Sequence, residues 1–497
     1  MDSEILVQKL FSGGISPSKK VGIEGSFQFS QSINTQTDPS EIVLLPKTVK
    51  VSGSTVTDLI KWFVSGHPYD TNTYAYSEGG KIYKGTSGDS WTLLRTVSNS
   101  HGQGLEIFDD YLYYVQDTQV GRYGPLSGTP AFTDNWATGY NDTSTNGFAP
   151  IKAFLEGFAV GHGNMVAWFD GSVIPTTGGT QVQEDALSRL LFAPGETVRA
   201  IDVVDEYLVV STLVGDSIRE NETGYMYFWD GSSEKYNFYI PCENGSVHGL
   251  VNSSNRVFSI MGSTPNIYLN YRPFQKIQRI PKINVDDFVE VWPGAMSNWK
   301  GNVMVGVSAD DDGNNNLVQG VYQWGTQSSN YPEVLNLAYV ISTGSTTGIK
   351  IGSVKGMGNN LFISWKDGAN YGVDKVAFDG DPYSSGYLET MIYDDARPYW
   401  DKLILAVKAT HLPIRAGESV KVSYRKDRTT YIDSDVNSTV GSRQTLLIVD
   451  PQYSRFLEAE FKVTITGTTT SPTVTGLSAR YDPLTSESLN YSSPEGL

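Results

Sequence analysis

Five histidines, His67, His101, His162, His248 and His411, are the residues from which metal or acid–base chemistry would be built in this chain. No two stand at an i, i+4 spacing, and the single cysteine, Cys242, has no thiol partner. The zinc patterns that need paired Cys or His are therefore excluded, and isolated histidines read as surface or packing residues. The run Asp310-Asp311-Asp312-Gly313-Asn314-Asn315-Asn316 gathers hard oxygen ligands around a glycine, as calcium loops do. Its twelfth position is Val321 where an EF-hand requires Glu, which leaves a solvated hairpin tip as the simpler reading. The adjacent acids Asp109-Asp110 and Asp394-Asp395 could pair in a fold but have the form of turn residues. No residue is assigned a catalytic, cofactor-binding or metal-binding role, and the expectation is a non-enzymatic protein that folds without a cofactor.

Composition narrows the function classes further. The chain has 497 residues and a formal net charge of -17, which opposes a general role in coating nucleic acid. Ser18-Lys19-Lys20 and Tyr424-Arg425-Lys426-Asp427-Arg428 are the best basic runs, and both are short enough to be ordinary solvated surface. Charged residues make up only 18% while Gly reaches 50 residues and aromatics 12%, the turn-rich and aromatic-rich profile of an all-β protein. With one cysteine no intrachain disulfide can form, so packing alone must hold the fold. No apolar stretch approaches the roughly 20 residues that span a bilayer, and Met1-Asp2-Ser3-Glu4 lacks the basic and apolar regions of a signal peptide. A soluble protein without a membrane segment or classical export is expected. On that expectation the sequons at Asn141 and Asn437 are accidental.

The elements that would position any site are set by a degenerate repeat, the feature that decides architecture. One marker is a polar turn feeding a short apolar strand: Asp109-Asp110 before Tyr111, Gly163-Asn164 before Met165, Asp205-Glu206 before Tyr207, Ser254-Asn255 before Arg256, Gly301-Asn302 before Val303 and Gly358-Asn359 before Asn360. These are hairpin signals. The other marker is an aromatic residue followed closely by glycine: Tyr83 to Gly85, Tyr123-Gly124, Phe169 to Gly171, Trp229 to Gly231, Trp324-Gly325 and Phe378 to Gly380. With an unmarked unit near Tyr268-Leu269-Asn270-Tyr271, the steps average about 50 residues, one four-stranded propeller blade each. The expected fold is a β-propeller of about seven blades over residues 53–397, with Trp168, Trp229 and Trp324 as blade-packing residues. Thr86-Ser87-Gly88-Asp89-Ser90-Trp91-Thr92 looks like a shortened Asp-box, the structural turn of sialidase-like propellers. The arginine cluster and tyrosine nucleophile of sialidases have no counterpart here, so glycoside hydrolysis is unsupported.

Residues 1–52 read as an N-terminal arm and first strand, with a Gly, Ser and Pro run at Ser12 to Ser18 and alternation at Gly25 to Ser30. Such an arm could close the ring or reach a neighbouring subunit. Beyond Arg397-Pro398 the repeat stops, and five strands over residues 398–484 suggest a C-terminal β-sandwich. In its fourth strand Leu457, Ala459, Phe461, Val463 and Ile465 are expected on the core face, with Glu458, Glu460 and Lys462 toward water. Residues 485–497 form a polar tail.

Two segments carry a resemblance: Gly358-Asn359-Asn360-Leu361-Phe362-Ile363-Ser364-Trp365 with Val376 to Gly380, and the terminal stretch Phe461 to Gly467 with Gly476-Leu477-Ser478-Ala479-Arg480-Tyr481. The pattern from about Gly53 to Pro483 resembles propeller-bearing structural proteins of tailed bacteriophages. The resemblance implies a virion tail component, at the nozzle, hub or tip, assembled in the host cytoplasm as a homo-oligomeric ring with other tail proteins and in passing contact with packaged DNA. The alternative is a host-attachment propeller that binds surface glycans through aromatic hairpin tips. A propeller hydrolase or lyase has no residue set to recommend it.

Overall fold

The computed structural model describes residues 4–16, 18–35, 37–68, 70–86, 90–97, 101–116, 119–138, 148–170, 188–214, 223–242, 247–261, 266–270, 274–279, 289–309, 318–325 and 333–484. The Asp310 to Asp312 run, Ser87 to Asp89 and the tail 485–497 lie outside them. Apart from two short 3-10 turns, Pro293–Ala295 and Pro451–Tyr453, the regular structure of the described residues is β-strand. Contacts divide the chain into two units: residues 1–47, 323–340 and 379–497 in the first, and 48–322 with 341–378 in the second.

The second unit repeats one motif, an antiparallel meander of four strands. The first meander is β6 (Ile60–Val64), β7 (Thr73–Ser77), β8 (Lys81–Thr86) and β9 (Ser90–Thr96). The next is β10 (Gly104–Phe108), β11 (Tyr111–Gln116), β12 (Gln119–Gly124) and β13 (Ala131–Thr138). It is followed by β14 (Ile151–Phe154), β15 (Gly157–His162), β16 (Met165–Asp170) and β17 (Ser188–Leu191). Then come β18 (Glu196–Val204), β19 (Tyr207–Val214), β20 (Gly224–Trp229) and β21 (Phe238–Pro241). After these stand β22 (Val247–Ser253), β23 (Arg256–Met261), β24 (Asn266–Asn270) and β25 (Phe274–Arg279). A further sheet contains β26 (Val289–Glu290), β27 (Met296–Trp299), β28 (Asn302–Ala309) and β29 (Gly320–Gly325), with β26 and β27 both on β28. The last is β31 (Ile349–Met357), β32 (Asn360–Asp367) and β33 (Asn370–Ala377), whose outer strand is β5 (Val49–Lys50) from before the first meander.

The first strands of successive sheets touch in cyclic order: β6, β10, β14, β18, β22, β27, β31 and back to β6. This is the meander repetition of a β-propeller, and turn chemistry explains its regularity. The opening residues of the hairpins after β10, β14, β18, β22, β27 and β31, namely Asp109, Leu155, Asp205, Ser254, Lys300 and Gly358, have φ between 51 and 56 degrees. Asp and Gly tolerate this left-handed region, whereas Leu155 occupies it against its own preference, so the Leu155-Glu156 turn carries no sequence signal. The Gly163-Asn164 marker belongs to the second hairpin of its sheet, β15 to β16, where the other turn markers fall on the first. The aromatic–glycine marker keeps one structural place. It lies on or just beyond the third strand of each marked sheet: β8, β12, β16, β20, β29 and β33.

Cores lie between neighbouring sheets. Tyr113, Val115 and Trp136 pack on Ile151, Phe158 and Phe169, while Val166 and Leu190 pack on Leu208, Val210 and Trp229. Phe63, Tyr83 and Trp91 meet Phe362 and Val373, which joins the first sheet to the last. Trp91, the tryptophan of the shortened Asp-box, is buried in this junction, while the turn Ser87 to Asp89 lies outside the described residues. Trp229 and Trp324 are buried, whereas Trp168 is only partly buried, its indole N–H donating to the Phe154 carbonyl at 3.0 Å.

The first unit contains two larger sheets. One runs β1 (Glu4–Gln8), β41 (Val474–Pro483), β35 (Lys402–His411) and β38 (Gln444–Ile448), with β39 (Arg455–Phe456) also on β35. In the other, β30 (Val334–Tyr339), β2 (Phe27–Gln31), β34 (Ser385–Thr390), β40 (Ala459–Thr466), β36 (Ser419–Lys426) and β37 (Ile432–Asp433) lie in that order. A small hairpin pairs β3 (Ile33–Asn34) with β4 (Val43–Leu44). Tyr424, Phe456, Phe461 and Tyr481 pack their rings within 6.4 Å of a neighbour, drawing on both sheets.

Three expectations change here. The expected N-terminal arm has core of its own: among its described residues β1 pairs with β41, Phe11 and Ile15 are fully buried, and the Ile15 amide donates to the Leu335 carbonyl at 2.9 Å. Gly13 and Gly14 permit this, because a Cβ at Gly13 would stand 2.2 Å from the Ser26 nitrogen. Leu457 is exposed and precedes β40, although Ala459, Phe461, Val463 and Ile465 are buried as expected. Glu460 is also buried, because Arg425 forms an ion pair with it and Gln28 Nε2 donates to it at 2.7 Å.

Truncating Trp229 to Ala should lower stability by about 3 to 5 kcal/mol in denaturant titration. A Glu460→Lys variant should be as damaging as Phe461→Lys, since each places an uncompensated charge in a buried position. Equal stability of Glu460→Lys and the parent protein would contradict the buried ion pair.

Candidate functional site

The strands that touch around the centre of the second unit enclose a cavity of about 430 Å³. The opening residues of its lining are small or apolar: Pro150, Ala200, Leu250 and Gly294. Further along the same strands come Glu106, Lys152, Asp202, Asn252, Asn298 and Lys355, one polar side chain from each of six sheets. These six are partly exposed or close to it, so the polar end is the wet end.

Hydrogen bonds tie this polar belt from sheet to sheet. Lys152 Nζ lies 2.8 Å from Asp202 Oδ1, and the same carboxylate accepts the Val203 amide at 2.9 Å. Its other oxygen accepts the Asn252 amide at 2.6 Å, while Asn252 Nδ2 donates to the Val203 carbonyl at 2.7 Å. Asn298 Nδ2 donates to Ser253 Oγ at 2.8 Å, and Ser297 Oγ accepts the Gly356 amide at 3.0 Å. Burial alone would raise the Asp202 pKa, but the Lys152 charge and these donors hold it below the usual carboxylate range. The Asp202 charge in turn raises Lys152.

Lys355 differs. It has no ion-pair or hydrogen-bond partner among the described residues. Burial, and then the Lys152 charge, pull its pKa below that of an ordinary lysine, against the opposing influence of the Glu106 and Asp202 carboxylates.

A second cluster fills the ring where these strands begin. Lys61 Nζ stands 4.1 Å from the Trp292 ring centre and 5.2 Å from that of Phe148, and the Arg199 guanidinium lies 4.4 Å from the same Phe148 ring. Arg199 also pairs with Glu290 at 3.3 Å, and Lys61 with Glu78 at 3.3 Å. All four side chains of the stack are buried, so the cluster is a plug of paired cations and aromatic rings. Burial lowers the pKa of Lys61 even with Glu78 alongside.

The histidines do not converge. His67 Nε2 faces Asp110 at 3.0 Å, His248 Nδ1 accepts the Val291 amide at 3.3 Å, and His411 Nε2 is 3.1 Å from Thr445 Oγ1 in the other unit. His162 is buried and His101 exposed. Asp109 and Asp110 form a hairpin turn in which Asp110 accepts the Ser127 amide at 2.8 Å. Asp394 accepts the Ala396 amide at 3.0 Å, again as a turn residue. Among the described residues no three His, Cys, Asp or Glu side chains gather as metal ligands. The basic runs also dissolve into local pairs: Lys20 bonds Asp394 and Glu458, and Asp427 and Arg428 form a turn with positive φ. Sequence reading missed the polar belt because its members are some 50 residues apart and share no residue type; only the repeat register, counted back from each hairpin turn, aligns them.

No protein-family model matches the chain, and no curated protein matches it in sequence. Among solved structures it is similar to BamB from Moraxella catarrhalis, at 13% identity and a TM-score of 0.39, over 68% of this chain and 94% of that one. It is also similar to the extracellular domain of a putative hybrid two-component system from B. thetaiotaomicron, at 11% identity and a TM-score of 0.44. That match covers 81% of this chain, which spans about half, 47%, of the other. Neither likeness is close enough to carry an inference about function.

Replacing Asp202 with Ala should cost about 3 to 5 kcal/mol, because it strands the Lys152 ammonium. The pH dependence follows from the directions of the two shifts. Asp202 is depressed when folded, so its contribution is present above the ordinary aspartate value near 3.9 and is lost as pH falls through the folded value. Lys152 is raised, so its contribution is present below about 10.4 and is lost as pH climbs through the folded value. Denaturation midpoints of Asp202→Ala should therefore converge on those of the parent at both extremes and differ most near neutrality.

Proposed function

We propose that the chain is a non-enzymatic structural protein of a tailed-phage virion, a seven-bladed β-propeller with an appended β-sandwich that assembles into a tail nozzle, hub or tip ring. The cyclic contacts of β6 through β31 support the blade count, and the two aromatic-lined sheets of the first unit support the sandwich. The tail assignment rests on the sequence resemblance. The assembly reading is carried by one observation, an exposed apolar sheet face in the first unit.

On that face Ile5, Arg480, Ala406 and Ile448 form one rung across four strands, and Val7, Ser478, Lys408 and Leu446 form the next but one. The intervening rung points inward, with Val407, Leu447 and Ala479 buried. Ile448 is 75% exposed, and Ile5, Val7 and Leu446 are exposed beside it. Tyr399, at 92%, is another exposed ring of this unit. Apolar side chains grouped in this way mark interaction surfaces. The lysine and arginine between them suit an acidic partner, and a second copy of a chain with net charge -17 offers acidic surface.

A specific observation favours the glycan-binding reading as the second. Tyr225, Tyr227, Tyr236 and Tyr239 cluster around β20 and β21, each ring within 5.9 Å of at least two others, with Tyr236 and Tyr239 exposed. Such rings offer faces to a sugar.

Light scattering and negative-stain imaging should show rings of several copies. The double variant Leu446→Asp, Ile448→Asp should yield monomers with an unchanged melting temperature. Monomers of the parent protein at tens of micromolar, with a hit on a glycan array that Tyr239→Ala abolishes, would replace the first reading by the second.

A further inference from the structure

The central cavity leaves some of its polar lining unmatched. Its size falls in the range of small-ligand pockets, about 300 to 1,000 Å³. Asp202 is satisfied by Lys152, Val203 and Asn252, so the Lys152–Asp202 pair is electrically closed. Lys355 and Asn252 are two groups of the lining left open. The Lys355 ammonium makes no ion pair or hydrogen bond among the described residues, and the Glu106 and Asp202 charges act on it only from beyond ion-pair distance. Asn252 has its Nδ2 committed to the Val203 carbonyl, which leaves Oδ1 buried without a donor. An ammonium without an ion pair and a buried acceptor without a donor thus line the one cavity, and each is better satisfied when something binds it.

We propose that this cavity binds a small hydroxylated carboxylate of the sugar-acid type, its carboxylate on Lys355 Nζ and a hydroxyl donating to Asn252 Oδ1. The unpaired ammonium selects the anionic group and the orphaned amide oxygen selects a hydroxyl. Partly exposed Trp62, which also lines the cavity, offers apolar surface to the sugar ring. The plug of Lys61, Trp292, Phe148 and Arg199 closes the other end, so the ligand enters and leaves past the polar belt. Glu106, on the same belt, excludes ligands with a second carboxylate on its side. The site does not depend on ring assembly and would operate in a monomer.

The test is calorimetric titration of the full-length protein with glucuronate, glucose and inorganic phosphate as probes. Glucuronate should bind, and glucose and phosphate should bind about tenfold or more weakly, because each satisfies only one of the two open groups. Lys355→Met should weaken glucuronate about tenfold or more, while Lys355→Arg should retain it. Both variants need only match the parent in near-ultraviolet circular dichroism to be informative. Absence of binding at millimolar glucuronate, equal binding of glucose, equal binding of phosphate, or full binding by Lys355→Met would each overturn the proposal.

Discussion

The hydrogen-bonding edge of β33 is the constraint on which the rest of the chain depends. A ring of meanders has one seam, where the last sheet must find an outer strand, and an open edge there would leave backbone donors and acceptors unpaired. Val49 and Lys50 supply that strand from the start of the ring, aligned with Lys375 and Asp374. The Val51 amide donates to the Val373 carbonyl at 2.9 Å, Ser52 Oγ accepts the Val373 amide at 3.0 Å, and Lys50 Nζ lies 5.0 Å from the Trp365 ring centre. Closure therefore uses backbone pairing, a side-chain acceptor and a cation on an aromatic face within four residues.

That closure dictates the composition of the other unit. Because the entering chain pairs with the leaving chain at the seam, the segments before residue 48 and after residue 378 begin side by side. The Lys47 amide donates to the Asp381 carbonyl at 2.8 Å, and Pro46 bridges Pro382. Continuing both segments as neighbours places β2 against β34 and lets β1 reach β41. A unit that looks C-terminal in sequence thus takes strands from both ends of the chain, and Phe11 and Ile15 become core residues.

What could be read from the sequence follows the same physics. Hairpin turns closed by Asp, Asn or Gly announce themselves because the residues that tolerate positive φ are few, and the aromatic–glycine marker held its place on the third strand. Leu155 escaped because tertiary context forces a left-handed turn on a residue with no preference for it. Glu460 escaped because alternation implies one wet face, whereas that face of β40 is covered at Glu460 by Arg425 and Gln28, residues 35 and 432 positions away. The polar belt was invisible for the same reason as β1 and the core places of Phe11 and Ile15: pairing between distant segments leaves no local pattern.

The belt and plug also bear on the proposed contact with packaged DNA. A cavity of 430 Å³ has the volume of a sphere about 9 Å across, while the major groove of a duplex is by itself about 12 Å wide. The buried stack of Lys61, Trp292, Phe148 and Arg199 further blocks the strand-start end. A duplex cannot thread the ring of β6 through β31. If this protein lines a DNA passage, the passage must lie between copies, walled by outer surfaces whose net negative charge would keep the duplex from adhering.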